Sequence, residues 1–74
     1  MIKVGQIYNS DEGIYVISKV WFNAAEDENW SYVIYNDGNS DCWSDNFISK
    51  YSKLIAEYPT WQEAVNSPEF KGEK

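Results

Sequence analysis

Residues 14–22 constrain the fold of this chain more than any other segment. They read Ile-Tyr-Val-Ile-Ser-Lys-Val-Trp-Phe, a run rich in β-branched and aromatic side chains, which favour strands over helices. The run is also long enough for a strand to bend across a small barrel. It therefore predicts a β protein with one long strand near its N-terminus.

Two further apolar runs flank this strand. Residues 4–8 predict a first strand, and the polar residues 9–12 with Gly13 predict the turn after it. Residues 23–29 interrupt the apolar pattern with consecutive acids, and residues 30–35 resume it as a third strand. The acidic segment between the second and third strands is expected to be an exposed loop.

A hairpin signal follows the third strand directly. Asp37-Gly38 lies between apolar runs, and glycine accepts the positive φ that a tight hairpin turn needs. The fourth strand is expected to begin near Ser40 and to include Cys42 and Trp43. Residues 53–56 predict a fifth strand that closes the sheet.

Two short helical segments are predicted in the second half of the chain. Residues 44–46 offer capping side chains ahead of residues 47–51, which are long enough for about one helical turn. Thr60 and Glu63 have the spacing of a capping box, which predicts a second helix ending near Val65. The chain is expected to be one domain with these parts: a barrel over residues 3–58, a helical segment over residues 60–66 and a frayed tail over residues 71–74.

Five short strands with tight connections predict a mainly β protein, a small SH3-like antiparallel barrel. Residues 4–8 (Val-Gly-Gln-Ile-Tyr), 15–17 (Tyr-Val-Ile) and 33–38 (Val-Ile-Tyr-Asn-Asp-Gly) form a pattern that resembles small SH3-like domains encoded by phages and prophages of Gram-positive bacteria. The resemblance covers roughly residues 4–58 and implies this fold and a phage origin. Such proteins often regulate or inhibit host machinery, and the resemblance brings no catalytic residues with it.

The amino-acid composition argues against most kinds of catalytic and metal site that a small domain can contain. The chain has no His and no Arg, so Cys42 and the serines lack the usual base that would activate a nucleophile. One cysteine without any His also excludes a zinc site built on these two residue types. Asp37, Asn39 and Asp41 resemble the start of a calcium loop, but the later positions lack the required glycine and glutamate. We therefore predict that the protein is not an enzyme and needs no cofactor or metal.

Charge and hydropathy narrow the expected partners and location. The formal net charge is −6 and the basic residues are six lysines, so the chain lacks the basic footprint that binds nucleic-acid phosphates. Residues 1–5 lack the apolar stretch of a signal peptide, and no segment approaches the roughly 20 apolar residues of a membrane span. With one cysteine, the protein is expected to be cytoplasmic, in the host cell if phage-encoded.

The aromatic residues of the third strand have two interpretations. Side chains alternate along a strand, so Trp30 and Tyr32 project to one face while Val33 and Tyr35 project to the other. In the first interpretation the C-terminal helix covers the second face with three apolar side chains: Trp61, Val65 and Phe70. In the second, four aromatics near the hairpin stay exposed as a ring of interface anchors: Trp30, Tyr32, Tyr35 and Trp43.

The acids also have two interpretations. Their charge keeps a small domain soluble, or it forms a surface that attracts a basic cleft and raises the association rate. Three aspartates lie near the aromatic ring in sequence: Asp37, Asp41 and Asp45. If these aspartates lay in one row with Glu26, Asp27 and Glu28, the row would imitate the charge spacing of nucleic-acid phosphates.

Three functions follow from these patterns. The first is a non-catalytic phage-type module that binds and inhibits or redirects a host protein with a basic surface, such as a defence or nucleic-acid-handling protein. The second is capture of a small cationic, aromatic or nucleotide ligand between Tyr35 and Trp43, with a carboxylate as counter-charge. The third is a homodimer paired through exposed aromatics. The candidate partner-binding residues are Glu26, Asp27, Glu28, Trp30, Tyr32, Tyr35, Asp37, Asp41, Trp43 and Asp45.

Overall fold

The computed structural model describes residues 1–72, which form five strands and three short helices. The strands are β1 (Gln6–Ser10), β2 (Gly13–Asn23), β3 (Glu28–Tyr35), β4 (Ser40–Ser44) and β5 (Ser52–Glu57). The helices are α1 (Asp45–Tyr51), α2 (Trp61–Val65) and α3 (Pro68–Lys71). Among these residues, no helix has the length and apolar character to cross a membrane.

The five strands form one antiparallel sheet in the order β4-β3-β2-β1-β5, which confirms the mainly β prediction. The predicted closure of the barrel is not confirmed, because β4 and β5 remain separate edges within residues 1–72. Helix α1 connects these two strands and contacts both of them. Its seven residues span about 10 Å between the end of β4 and the start of β5.

The longest element is the hairpin of β2 and β3. Its pairing runs from Tyr15 opposite Tyr35 to Asn23 opposite Glu28, with a register shift after Ile17. The strand predicted over residues 14–22 is thus confirmed, and the loop expected over residues 23–29 shortens to a turn because both strands extend into it.

The first strand begins later than the sequence predicted. Val4 and Gly5 form a turn instead of strand, and β1 continues through Asn9 and Ser10. Gly5 has a φ of +93°, far from the negative φ of a regular strand, and its N–H donates to the carbonyl of Ile17 over 2.9 Å.

The helix caps match the predicted positions. Ser44 Oγ accepts from the N–H of Phe47 over 3.2 Å, and Thr60 Oγ1 accepts from the N–H of Glu63 over 3.1 Å.

Helix α3 was not predicted. Ser67 caps it and Pro68 occupies the first turn, an arrangement that starts helices well because proline lacks the N–H that would be free there. Lys71 and Gly72, expected in a frayed tail, are the last residue of α3 and its C-cap. Residues 73 and 74 of that expected tail lie outside the described residues.

Apolar side chains are buried on both faces of the sheet. The α1 face is defined by one buried cluster: Tyr8, Tyr15, Ile17, Val33, Tyr35 and Ile48. The α2–α3 face is defined by a second: Ile7, Val16, Ala64 and Phe70, with Trp61 and Val65 packed against it. The first interpretation of the aromatics is therefore correct for the C-terminal residues, which cover the second face.

Candidate functional site

The four aromatics expected to form a ring are divided between the two faces. Tyr35 belongs to the cluster on the α1 face, and Trp43 packs against that cluster. Ile34 packs on the α2–α3 face, and strand alternation places Trp30 and Tyr32 on that same side. A single ring of four is therefore wrong, whereas Tyr35 and Trp43 do lie together.

Tyr35 and Trp43 line a pocket of about 190 Å³ on the α1 face, which we call the aromatic pocket. Its walls come from all five strands, from the turn between β1 and β2, and from α1. The rings that line it are Tyr15, Tyr35, Trp43, Phe47 and Tyr51, and the polar residues are Ser10, Asp11, Glu12 and Ser52.

The rings contact one another in series. The Trp43 and Phe47 rings stack with centroids 4.2 Å apart, and the Phe47 and Tyr51 centroids lie 4.9 Å apart. Phe47 and Tyr51 are four residues apart on α1, the spacing that places side chains on one helix face. Tyr15 meets Tyr35 edge to face, with centroids 5.3 Å apart. Stacked and edge-to-face contacts of this kind hold the rings in fixed relative positions.

Three donors of the pocket walls already have partners inside the protein. Trp43 Nε1 donates to Tyr35 Oη over 3.0 Å, and Tyr15 Oη donates to Ser52 Oγ over 2.6 Å. Tyr35 Oη lies 3.5 Å from Glu12 Oε2 and donates towards it. The groups that remain for a ligand include ring faces, the Tyr51 hydroxyl and the carboxylate oxygens of Asp11 and Glu12.

Tyrosine pKa values report the same environment. Burial raises the pKa of Tyr35, and the negative charges of Glu12 and Asp41 raise it further, against the opposing hydrogen bond from Trp43. Burial also raises the pKa of Tyr15 to about 12, although its hydrogen bond to Ser52 acts in the other direction. Both phenols therefore stay neutral at physiological pH, and the nearby charge is negative.

A second concavity, the acidic depression, adjoins the aromatic pocket and shares Glu12 and Tyr35 with it. Its volume is about 340 Å³, and its other lining residues are Asp37, Asn39, Ser40 and Asp41. The Asp37 carboxylate accepts from the backbone N–H of Asn39 over 2.9 Å, which fixes it in the turn between β3 and β4. Two of the predicted acids are thus brought together with one that was not predicted.

The other predicted acids lie elsewhere. Asp45, at the start of α1, is half-buried next to Glu28, and burial followed by the charge of Glu28 raises its pKa. Glu26 and Asp27 occupy the turn between β2 and β3, at the opposite end of β3 from Tyr35. The length of β3 separates that turn from the acidic depression by about 23 Å, so the six acids do not form one row.

Four lining residues were not among the candidates from the sequence: Asp11, Glu12, Phe47 and Tyr51. The spacing of Phe47 and Tyr51 in a predicted helix was a signal for a shared face. Asp11 and Glu12 reach the pocket because Ser10 pairs with Ser52. These two residues are distant in sequence, so no local pattern predicts their contact.

Fold and pocket together define the class: a small antiparallel β protein with an aromatic pocket beside an acidic depression. Compared with protein-family models, curated proteins and solved structures, the chain matches none of them. Its function is therefore inferred from the site.

Proposed function

We propose that this protein is a non-catalytic binding module that engages a basic partner protein through the aromatic pocket and the acidic depression. The observation that carries the proposal is the continuity of the two concavities, which share Glu12 and Tyr35. Among the described residues, those that line them include three aspartates, one glutamate and no lysine.

The two concavities supply complementary parts of an interface. Large aromatic side chains supply contact area with few rotatable bonds, and they are enriched among residues that dominate binding energy. Carboxylates around them attract a partner of opposite charge and raise its association rate. A basic surface on the partner satisfies both parts at once.

The resemblance to phage-encoded domains suggests what the partner does. We propose a host protein whose basic site is occupied and thereby inhibited or redirected. An SH3-like barrel left open between β4 and β5 is the fold that we propose for this module, supported by five antiparallel strands and the helical link α1.

The test uses a fluorescent peptide of alternating lysine and glycine as the probe, titrated with the intact protein at low and high salt. Asp37→Asn combined with Asp41→Asn removes two charges from the acidic depression and keeps one acceptor oxygen on each side chain. We expect the Kd to rise about threefold to tenfold, because each of two partly exposed charge pairs contributes roughly 0.2–1 kcal/mol, about 1 kcal/mol together near the middle of that range. We also expect a weaker dependence on salt.

The matched control is Glu26→Gln combined with Asp27→Asn, which removes the same charge from the far turn. Asp27 has a φ of +52°, and asparagine tolerates that conformation, so the control should fold normally. Its Kd should stay within about twofold of the wild-type value, given the screening distance of about 10 Å at moderate salt. Equal weakening in both double variants would show that net charge alone attracts the peptide, and the proposed site would be wrong.

A further inference from the structure

We propose that the aromatic pocket binds the alkylammonium head group of a lysine side chain, and that it binds N-trimethylated lysine more tightly than the primary amine. The proposal rests on the proposed function in one respect, namely that the lysine belongs to the partner protein. The chemistry of the head group follows from the pocket itself.

The rings favour a compact cation. Five aromatic side chains surround a space of about 190 Å³, smaller than the roughly 300–1,000 Å³ of sites for drug-sized ligands. A tetrahedral ammonium group contacts several ring faces at once, whereas a planar guanidinium stacks on one face. Lys50 Nζ lies 5.4 Å from the centroid of the Tyr51 ring, so this wall already interacts with an ammonium group of the chain.

The polar groups favour a positive ligand over a phosphate. Trp43 Nε1 and the Tyr15 hydroxyl donate to other side chains and offer no donor to an anion. Asp11 and Glu12 would repel an anion and attract a cation at the rim. A nucleotide is thereby disfavoured in this pocket.

The inner wall of the pocket favours methylation of the ammonium group. Tyr15 is 1% exposed and Tyr35 is 9% exposed, and their hydroxyls donate to Ser52 and Glu12 of the same chain. A primary ammonium whose N–H groups face these rings gives up hydrogen bonds to water there, because a ring face does not replace a water acceptor. Trimethylation removes those donors, keeps the charge and adds methyl groups that contact the rings.

The test compares peptides that differ only in one central side chain, titrated calorimetrically into the intact protein. The side chains are lysine, trimethyllysine, the neutral carbon isostere of trimethyllysine, and arginine. We expect trimethyllysine to bind at least about fivefold more tightly than lysine or arginine, and about tenfold more tightly than the neutral isostere. Equal binding of all four, tighter binding of lysine or arginine, or equal binding of the isostere would overturn the proposal.

A matched pair of variants locates the binding. Tyr51→Leu removes one wall at a side chain that is 57% exposed, and Phe22→Leu changes a side chain that is 59% exposed on the hairpin of β2 and β3. Because both side chains are exposed, both variants should fold. Tyr51→Leu should abolish the preference for trimethyllysine, and Phe22→Leu should leave it unchanged. The same loss of preference in both variants would refute the assignment to this pocket.

Two outcomes separate this inference from the proposed function. If Asp37→Asn with Asp41→Asn weakens peptide binding while methylation and Tyr51→Leu have no effect, the module binds basic partners and the pocket assignment is wrong. If free choline shifts the NMR signal of the Trp43 indole N–H while no peptide binds, the head-group chemistry is right. In that case the lysine source and the proposed function are both wrong.

Discussion

Among the glycines, Gly5 is the position where substitution by alanine should lower the free energy of unfolding most. A Cβ added there would lie 2.1 Å from the carbonyl oxygen of Tyr58 and 3.1 Å from its carbonyl carbon. Both contacts are to backbone, which moves only if the chain after β5 shifts away from β1. That shift would also break the hydrogen bond from the Tyr58 N–H to the Gly5 carbonyl, which is 3.0 Å long.

Gly38 provides the matched control for Gly5→Ala. The two glycines have almost the same φ, +93° at Gly5 and +94° at Gly38. A Cβ on Gly38 would meet nothing within 4 Å. Gly38→Ala therefore incurs only the conformational strain of a positive φ, about 1–2 kcal/mol, and Gly5→Ala incurs the same strain plus the clash.

The expected difference between these variants follows from the contacts at Gly5. Losing the Tyr58 hydrogen bond costs about 1 kcal/mol, and separating the two backbones adds at least as much. Gly5→Ala should thus lower the free energy of unfolding by roughly 3–4 kcal/mol, a large part of the roughly 4–11 kcal/mol expected for 74 residues.

The assay is urea and thermal unfolding of both alanine variants, followed by circular dichroism. At about 4–8 °C per kcal/mol for a domain of this size, Gly5→Ala should lower the Tm at least about 8 °C more than Gly38→Ala. Equal losses would show that the close approach of Gly5 to Tyr58 contributes nothing beyond its positive φ, and would refute the reasoning.

Two further predictions concern stability. The pKa of Tyr15 is raised to about 12 in the folded state, above about 10 in an unfolded chain, so the stabilisation is complete below pH 10 and is lost as pH rises to 12. Urea titrations should show the free energy of unfolding falling across that window, with a smaller fall in Tyr15→Phe; an identical fall would contradict the assignment. Ser67 Oγ donates to the Ala64 carbonyl over 2.6 Å and accepts from the Phe70 N–H over 3.2 Å, so Ser67→Ala should cost about 1–2 kcal/mol by urea unfolding. Exposed Ser49→Ala should cost less than about 0.5 kcal/mol, and equal costs would exclude the cap as the cause.

The elements predicted correctly from the sequence are those set by interactions between residues close together in the chain. The hairpin at Asp37-Gly38 forms because glycine takes the positive φ there, and the Gly38 N–H donates to the Tyr35 carbonyl over 3.0 Å. Ser44 and Thr60 cap their helices through contacts three residues away. Both partners of each interaction lie within a few residues of each other, so the local sequence is enough to predict it.

The errors involve contacts between distant residues. Val4 and Gly5 look like the start of a strand, but their turn is fixed by Ile17 and Tyr58, which hydrogen-bond to Gly5 from two other parts of the chain. Closure of the barrel depended likewise on whether β4 and β5 could meet across α1, which strand composition does not determine.

Only part of the candidate site can be predicted from the sequence, because its other residues are brought together by contacts between distant parts of the chain. Tyr35 and Trp43 were proposed as the walls of a pocket, and a hydrogen bond of 3.0 Å joins them. Trp30 and Tyr32 fall on the other face because strand alternation separates them from Tyr35. Glu12 is about thirty residues from Trp43 in sequence, and only the assembled sheet brings both to one pocket.

The pocket shares its inner wall with the core. This sharing preorganises the binding surface, and it also couples binding to stability when a wall residue is mutated. Tyr15 and Tyr35 are core residues of the α1 face, so their ring positions are fixed by folding before any ligand arrives. A ligand therefore meets a preorganised surface and does not bear the entropic cost of ordering it. The same sharing means that truncating either ring changes stability together with binding. Tyr51 and Glu12 are exposed at the rim, so changes there leave both core rings in place and give the cleaner measurement of what the pocket recognises.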